Sequence, residues 1–128
     1  MPAPSRSSMR DREARRKTER GGRRAETLAA WWLRLKGWAI LGRRVRTRVG
    51  EVDLVARRGH VLAFIEVKAR ADDEASAFAL DGWRLRRVAA AAQALMPRFA
   101  RDGDVVRIDA IFLVPGRWPR HETALWEG

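Results

Sequence analysis

Two short runs constrain this chain more than anything else in it: Gly50-Glu51-Val52-Asp53-Leu54-Val55-Ala56, then Phe64-Ile65-Glu66-Val67-Lys68. Each has the period-two apolar pattern of a strand. Arg58-Gly59-His60 between them is a turn signal, so the pair predicts a hairpin. Residues i and i+2 of a strand share a face. Glu66 and Lys68 therefore emerge side by side while Ile65 and Val67 point into a core, and Glu51 and Asp53 share a face of the partner strand. Leu54, Val55, Phe64, Ile65 and Val67 mark central strands rather than edges. Three carboxylates so placed repel one another unless a lysine, a proton or a metal compensates them.

That constellation suits metal-assisted hydrolysis of a phosphodiester. Mg²⁺ takes oxygen ligands, with one or two carboxylates and several waters. Asp53, Glu66 and the backbone carbonyl of Val67 are the candidate metal ligands, for Mg²⁺ or Mn²⁺. A metal there would polarise the phosphate and lower the pKa of a bound water. Lys68 is placed to orient that water or to offset developing phosphate charge. The plainer alternative is a cross-strand ion pair, the usual meaning of Glu-x-Lys on a strand.

The order Asp53, about thirteen residues, then Glu66-x-Lys68 resembles the PD-(D/E)xK signature of the restriction-endonuclease-like superfamily, without the usual proline before the first Asp. The likeness extends further. Gly22-Arg23-Arg24-Ala25-Glu26, Ala29-Ala30 and Leu33-Arg34-Leu35-Lys36-Gly37-Trp38 resemble the opening helix of the YraN-like family of small bacterial proteins. Arg46-x-Arg48-x-Gly50-Glu51-Val52-Asp53-Leu54-Val55 and Phe64-Ile65-Glu66-Val67-Lys68-x-Arg70 resemble that family's central signature, and Leu80-Asp81 and Arg107-Ile108-Asp109 also fit it. The match covers roughly residues 21 to 114. The same order of elements is similar to archaeal Holliday-junction resolvases. The resemblance implies an α/β fold with an αβββαβ core, a mixed sheet flanked by helices, and a nuclease site. Where the family usually has a lysine three residues after the Asp of its second helix, this chain has Arg84. Charge is kept, but a guanidinium is not an ammonium.

At 128 residues the chain has room for one domain with a core, and a net charge of +11 favours a polyanionic partner. The absence of cysteine excludes disulfides and thiolate metal sites. The two histidines, His60 and His121, fall in an expected turn and an expected tail, so no zinc site is expected. No apolar run reaches membrane-spanning length, so a soluble, cytoplasmic protein is expected, with no membrane partner. Residues 1 to 24 hold nine Lys/Arg against three Asp/Glu. Residues 1–20 are expected to be a disordered basic arm that grips phosphates or serves only as a solvated tail. Residues 21–128 are expected to be a single nuclease-like domain.

Residues 22 to 36 read as a helix with Ala25, Leu28, Ala29, Trp32 and Leu33 on its apolar face and Gly37 as its stop. Glu26 lies at the edge of that face. It is a candidate supporting ligand or base, or simply a favourable charge near the helix N-terminus. Residues 38–48, 51–57, 61–69 and 105–114 read as four strands, the last parallel to the third through a helical crossover. Asp72, Asp73 and Glu74 read as a solvated loop. Asp81 caps a second helix that runs to about Met96, and Pro97 marks its end or a kink. Arg84, Arg86 and Arg87 in its first turns form a candidate phosphate contact. Asp109 is expected to partner a cation. Trp118 and Trp126 in the tail are expected to pack back on the domain.

The reading is a metal-dependent nuclease or nuclease-like protein acting on DNA, branched or single-stranded. Asp53, Glu66 and Lys68 are its catalytic residues, supported by Glu51 and Glu26. Arg46, Arg48, Arg70, Arg84 and Arg87 contact nucleic acid. Cleavage of a four-way junction would require a homodimer. The alternatives are a nucleic-acid-binding module without catalysis on the same fold, and a protein-interaction adaptor using Trp31 and Trp83.

Overall fold

The computed structural model describes residues 23–69 and 82–127, apart from the side chains of 82–84 and 127. Helix α1 (23–35) is followed by β1 (Ala39–Arg46), β2 (Glu51–Arg58), β3 (Val61–Lys68), α2 (Gly82–Phe99), β4 (Val105–Phe112) and β5 (Arg120–Glu127). The five strands form one sheet in the order β1-β2-β3-β4-β5. β3 and β4 are parallel and the other neighbours antiparallel, so the sheet is mixed and the αβββαβ order expected from the sequence is present.

The sheet is covered on both faces. Leu54, Ala56, Ala63 and Ile65 pack with Ala29, Ala30 and Leu33 of α1. Val55, Leu62, Phe64 and Val106 pack with Ala91, Ala92 and Leu95 of α2. The alternation within β3 divides the faces: Ala63 and Ile65 go one way, Leu62 and Phe64 the other. A strand buried on both faces reads as a continuous apolar run, as Val61–Ile65 does.

Local signals in the sequence set the element ends. Trp38 N–H donates to the Leu33 carbonyl and Gly37 N–H to that of Arg34, closing α1 with a Schellman motif. Gly37 has φ +90°, where an L side chain would be strained. Trp38 and Leu33, the apolar pair that accompanies the motif, lie in the same core cluster. The two-residue turn Gly59-His60 closes β2 onto β3 at the Arg58–Val61 pair. α2 runs through Pro97 to Phe99 rather than ending there. The proline removes one hydrogen bond in the last turn, and Phe99 still packs on the core.

The tail after Pro115 is not a tail. It forms β5, an antiparallel neighbour of β4, so His121 lies in a strand rather than an extension. Asp109 fixes it in place. This residue is wholly buried, yet its oxygens accept hydrogen bonds from Arg107 (2.9 and 3.2 Å) and from the Ala124 N–H (2.9 Å), and meet His121 Nε2 at 2.8 Å. Burial alone would raise its pKa. The bonds from His121, Arg107 and Ala124 outweigh that and hold it below the ordinary value. The cation partner expected for Asp109 is Arg107, with His121 beside it. Trp126 packs back on the core as expected, while Trp118 stays 82% exposed with its ring against Trp32.

A second buried pair ties β2 to the segment after α2. Both guanidinium ends of Arg57 meet the carboxylate of Asp104 at 2.7 Å, and Arg57 also donates to the Phe99 carbonyl. The bidentate contact holds the Asp104 pKa down to about 2. The arm 1–20, the acidic stretch Asp72–Glu74, Arg70 and the cap Asp81 lie outside the described residues.

Two outcomes are expected. Phe64→Ala should cost about 3–5 kcal/mol in urea unfolding, because a fully buried ring is lost, whereas Leu35→Ala should stay within about 0.5 kcal/mol. Because the Asp104 pKa is lowered on folding, its contribution is present above about pH 4 and is lost as pH falls toward 2. Asp104→Asn should therefore flatten the acid limb of a stability-against-pH curve. An unchanged limb would show that the pair is not coupled to folding.

Candidate functional site

The paired ladder of β2 and β3 ends at Leu54–Ile65, although both strands run further. Asp53 and Glu66 are the next residues in register. In place of another ladder bond, the Val67 N–H donates to Asp53 Oδ2 at 2.8 Å. The strands part here, and a carboxylate fills the gap between them. Asp53 lies between Val52, which packs on the α2 side, and Leu54, which packs on the α1 side. Its position is therefore the place where β2 changes its allegiance.

The structure brings four of the expected carboxylates into one electrostatic cluster. The Asp53 carboxyl is pushed up to about 6, first by burial and then by the charges of Glu66, Glu26 and Glu51, against the lowering effect of the Val67 N–H. Lys68 Nζ lies 3.0 Å from Glu66 Oε1, and both side chains are mostly buried. Glu26, 5% exposed on the first turn of α1, meets Arg44 Nε at 2.7 Å. Glu51 sits at the rim and pairs with the exposed Arg46 at 3.2 Å. The site thus has Asp53 and Glu66 at its centre, Lys68 beside Glu66, Glu26 behind an arginine and Glu51 outermost.

Arg44 was not singled out from the sequence as part of this site. It has φ +48°, rare for a residue other than glycine, and follows a register shift in β1 between Ile40 and Gly42. The pKa of Arg44 is raised, chiefly by the hydrogen bond to Glu26 and further by the charges of Glu51 and Asp53. A non-glycine residue held in this region is a mark of a functional or over-determined site. The sequence signal was its place in the alternating run Arg44, Arg46, Arg48. What it could not show is that the bulge turns one of the three inward.

The expected phosphate contacts are less concentrated. Arg46 and Arg48 are exposed on and after β1, and Arg87 is exposed on α2. Gly50, at the end of the β1–β2 turn, approaches α2 so closely that a Cβ there would stand 3.4 Å from the Arg87 carbonyl oxygen. The turn is held by Thr47, whose hydroxyl donates to the Gly50 carbonyl and accepts from the Val49 and Gly50 N–H groups. The side chain of Arg84 and all of Arg70 fall outside the described part of the chain.

Among the described residues, no three His, Asp or Glu side chains converge closely enough to form a metal site on their own. The available donors are the carboxylates of Asp53 and Glu66 and the Val67 carbonyl. Such a sparse oxygen set fits Mg²⁺, which keeps several waters and completes its shell with substrate phosphate, and does not fit a dedicated protein cage. The Asp53 pKa is raised first by burial and then by the charges of Glu66, Glu26 and Glu51, and a divalent cation bound there would lower it.

The same shift makes a prediction without any metal. With Asp53 raised to about 6 in the folded chain and near 3.9 unfolded, the folded state holds the extra proton between those values. Stability should therefore fall as pH rises through about 4 to 6. Asp53→Asn removes that fall and keeps an acceptor for the Val67 N–H, so it should stabilise the protein at pH 7.5 by about 2–3 kcal/mol and much less at pH 4.5. Urea unfolding at the two pH values checks this. Destabilisation at pH 7.5 would mark Asp53 as a structural partner instead.

The profile of a family described as "Uncharacterised protein family UPF0102" matches residues 25–113, from the start of α1 to just past β4. The chain is 58% identical over 110 residues to a UPF0102 protein of Rhizorhabdus wittichii, covering 86% of this chain and 93% of that protein. It is 60% identical over 109 residues to one from Sphingopyxis alaskensis, covering 85% and 94%. A Brucella canis relative is 45% identical over 106 residues, covering 82% and 84%. The matched span holds Glu26, Arg44, Glu51, Asp53, Glu66 and Lys68, and on these matches the chain belongs to the UPF0102 family, the YraN-like family that its sequence resembles.

Proposed function

We propose that the protein is a Mg²⁺- or Mn²⁺-dependent nuclease that hydrolyses phosphodiester bonds in DNA. One observation carries the reading: a partly buried aspartate, raised to about 6 by burial and by three other carboxylates, sits where two central strands part, beside a Glu–Lys pair. The resemblance of Asp53…Glu66-x-Lys68 to the PD-(D/E)xK superfamily supports it. So does the net charge of +11, which suits a polyanionic substrate.

In this reading Asp53, Glu66 and the Val67 carbonyl hold the cation. When bound it would polarise the scissile phosphate and lower the pKa of a water. The chain's own groups do the rest. The Val67 N–H fixes one Asp53 oxygen and leaves the other for ligation. Lys68, held against Glu66, is the cation placed to orient the attacking water or to offset charge on the phosphate. Arg44 keeps Glu26 turned toward the cluster. Arg46, Arg48 and Arg87, with Arg70 and Arg84, would hold the backbone on either side, and the basic arm would add contacts without sequence preference. Cleavage of a four-way junction would need two copies of the chain. Among the described residues no helix is long and apolar enough to cross a membrane.

A second reading is a nucleic-acid-binding module without catalysis. It is favoured by the pairing of three of the four acids with cations: Glu26 with Arg44, Glu51 with Arg46, Glu66 with Lys68.

A cleavage assay on linear, flapped and four-way DNA separates the two. The nuclease reading expects strand scission with Mg²⁺ or Mn²⁺, and none with EDTA. It also expects Asp53→Asn and Glu66→Gln each to lower the rate at least about a hundredfold while DNA binding in EDTA is kept. Binding by the wild type with no scission on any substrate would support the module.

A further inference from the structure

α1 buries one side against the sheet and leaves a second apolar stripe on its outer side. Leu28, Trp31, Trp32 and Leu35 fall at i, i+3, i+4 and i+7, the spacing of a helix face that meets a partner. Leu28 is 60% exposed, Trp31 59% and Leu35 80%. Opposite them the segment after β4 supplies Val114, Pro115 and Trp118, whose ring stands 5.6 Å from Trp32. The two walls enclose a groove of about 730 Å³. Of the seven large apolar residues exposed among the described ones, four line this groove. Apolar surface gathered in this way marks an interaction site, whereas the same residues scattered would not.

Among the described residues the charged groups that line the groove are of one sign: Arg24 and Arg117 line it, and no described carboxylate does. Lys36 Nζ lies 4.6 Å from the Trp32 ring centre, and the Arg34 guanidinium 5.4 Å from that of Trp31. A second copy of this chain would bring its own net charge of +11 to the contact. Stacked nucleobases fit less well. Trp32 already has Trp118 and Lys36 against its ring, and the leucines offer no surface for stacking. From Leu28 to Leu35 is two turns, about 10 Å, the length over which a crossing helix seats two or three anchors.

We propose that this groove docks an acidic amphipathic helix of a partner protein. The partner's apolar residues enter between α1 and the Pro115–Trp118 wall, and its carboxylates meet Arg24, Arg34 and Lys36. The groove shares no residue with the carboxylate cluster, so docking here is independent of whether that cluster cleaves DNA.

The test uses the full chain and a fluorescein-labelled peptide of about 18 residues, with Leu and Trp on one helical face and Glu on the other. Two controls are a scramble of equal charge that breaks the apolar face, and a version with Lys for Glu. Leu28→Gln with Leu35→Gln removes the outer wall while keeping net charge and helix propensity, and Trp118→Gln does the same from the opposite wall. Fluorescence anisotropy should show saturable binding of the designed peptide, at least about tenfold weaker binding of the scramble, and none of the Lys version. Both variants should weaken peptide binding at least about tenfold with unchanged thermal melts. Equal affinity for the scramble, or unchanged affinity in both variants, would overturn the proposal by reducing the contact to net charge. Loss in the variants of binding to labelled oligothymidylate or to phosphatidylglycerol vesicles, with peptide binding intact, would overturn it in favour of a different occupant.

Discussion

One hydrogen bond organises the candidate site: the N–H of Val67 donating to the carboxylate of Asp53. An antiparallel ladder would normally continue past Leu54–Ile65 with backbone bonds. Here a side chain takes the place of a strand partner. That substitution keeps Val67 satisfied while letting β2 and β3 separate, and it fixes the carboxylate between the two halves of the core. Burial at that point is the largest cause of the raised Asp53 pKa, and the neighbouring acids add to it. Geometry and electrostatics of the site therefore follow from one departure from regular pairing.

The distribution of cations gives the cluster its asymmetry. Glu26, Glu51 and Glu66 each meet a basic side chain. Among the described residues, the hydrogen bond to Asp53 comes from an uncharged donor. The acid with the weakest compensation is thus the most central one, and it is the one whose charge is costly above pH 6. A purely structural network would gain by placing an arginine there. A site that receives a cation from solution has reason to leave the position open, and this is the physical basis for preferring metal-dependent chemistry over a static ion-pair network.

Much of this was legible in the sequence because it depends on periodicity. The alternation in Glu51–Ala56 and Phe64–Lys68 located the central hairpin, Gly59 located its turn, and Gly37 located the end of α1. The alternation also placed Glu66 beside Lys68. What escaped was whatever depended on an irregularity. The shift in β1 at Ile40–Gly42 and the positive φ of Arg44 leave no mark in a period-two pattern, so Arg44 looked like one of three equivalent arginines. β5 escaped for a similar reason. Arg120–Glu127 is an edge strand with a polar pattern, held by the buried Asp109 through His121 and the Ala124 N–H, a long-range contact that local sequence does not encode. The outer stripe of α1 was merged with the inner face: Leu28 and Trp32 read as one apolar face with Ala25, Ala29 and Leu33, whereas the structure buries Ala25, Ala29 and Leu33 and leaves Leu28 60% exposed beside Trp31.

The central claim is that Asp53 and Glu66 together hold a divalent cation. The most direct measurement is Mn²⁺ binding followed by electron paramagnetic resonance at pH 7.5, on the wild type, Asp53→Asn and Glu66→Gln, with a short DNA duplex present to complete the coordination shell. The account predicts one bound Mn²⁺ per wild-type chain that Mg²⁺ displaces, and its loss in both variants while the DNA remains bound. The same number of bound Mn²⁺ ions in all three proteins would contradict it.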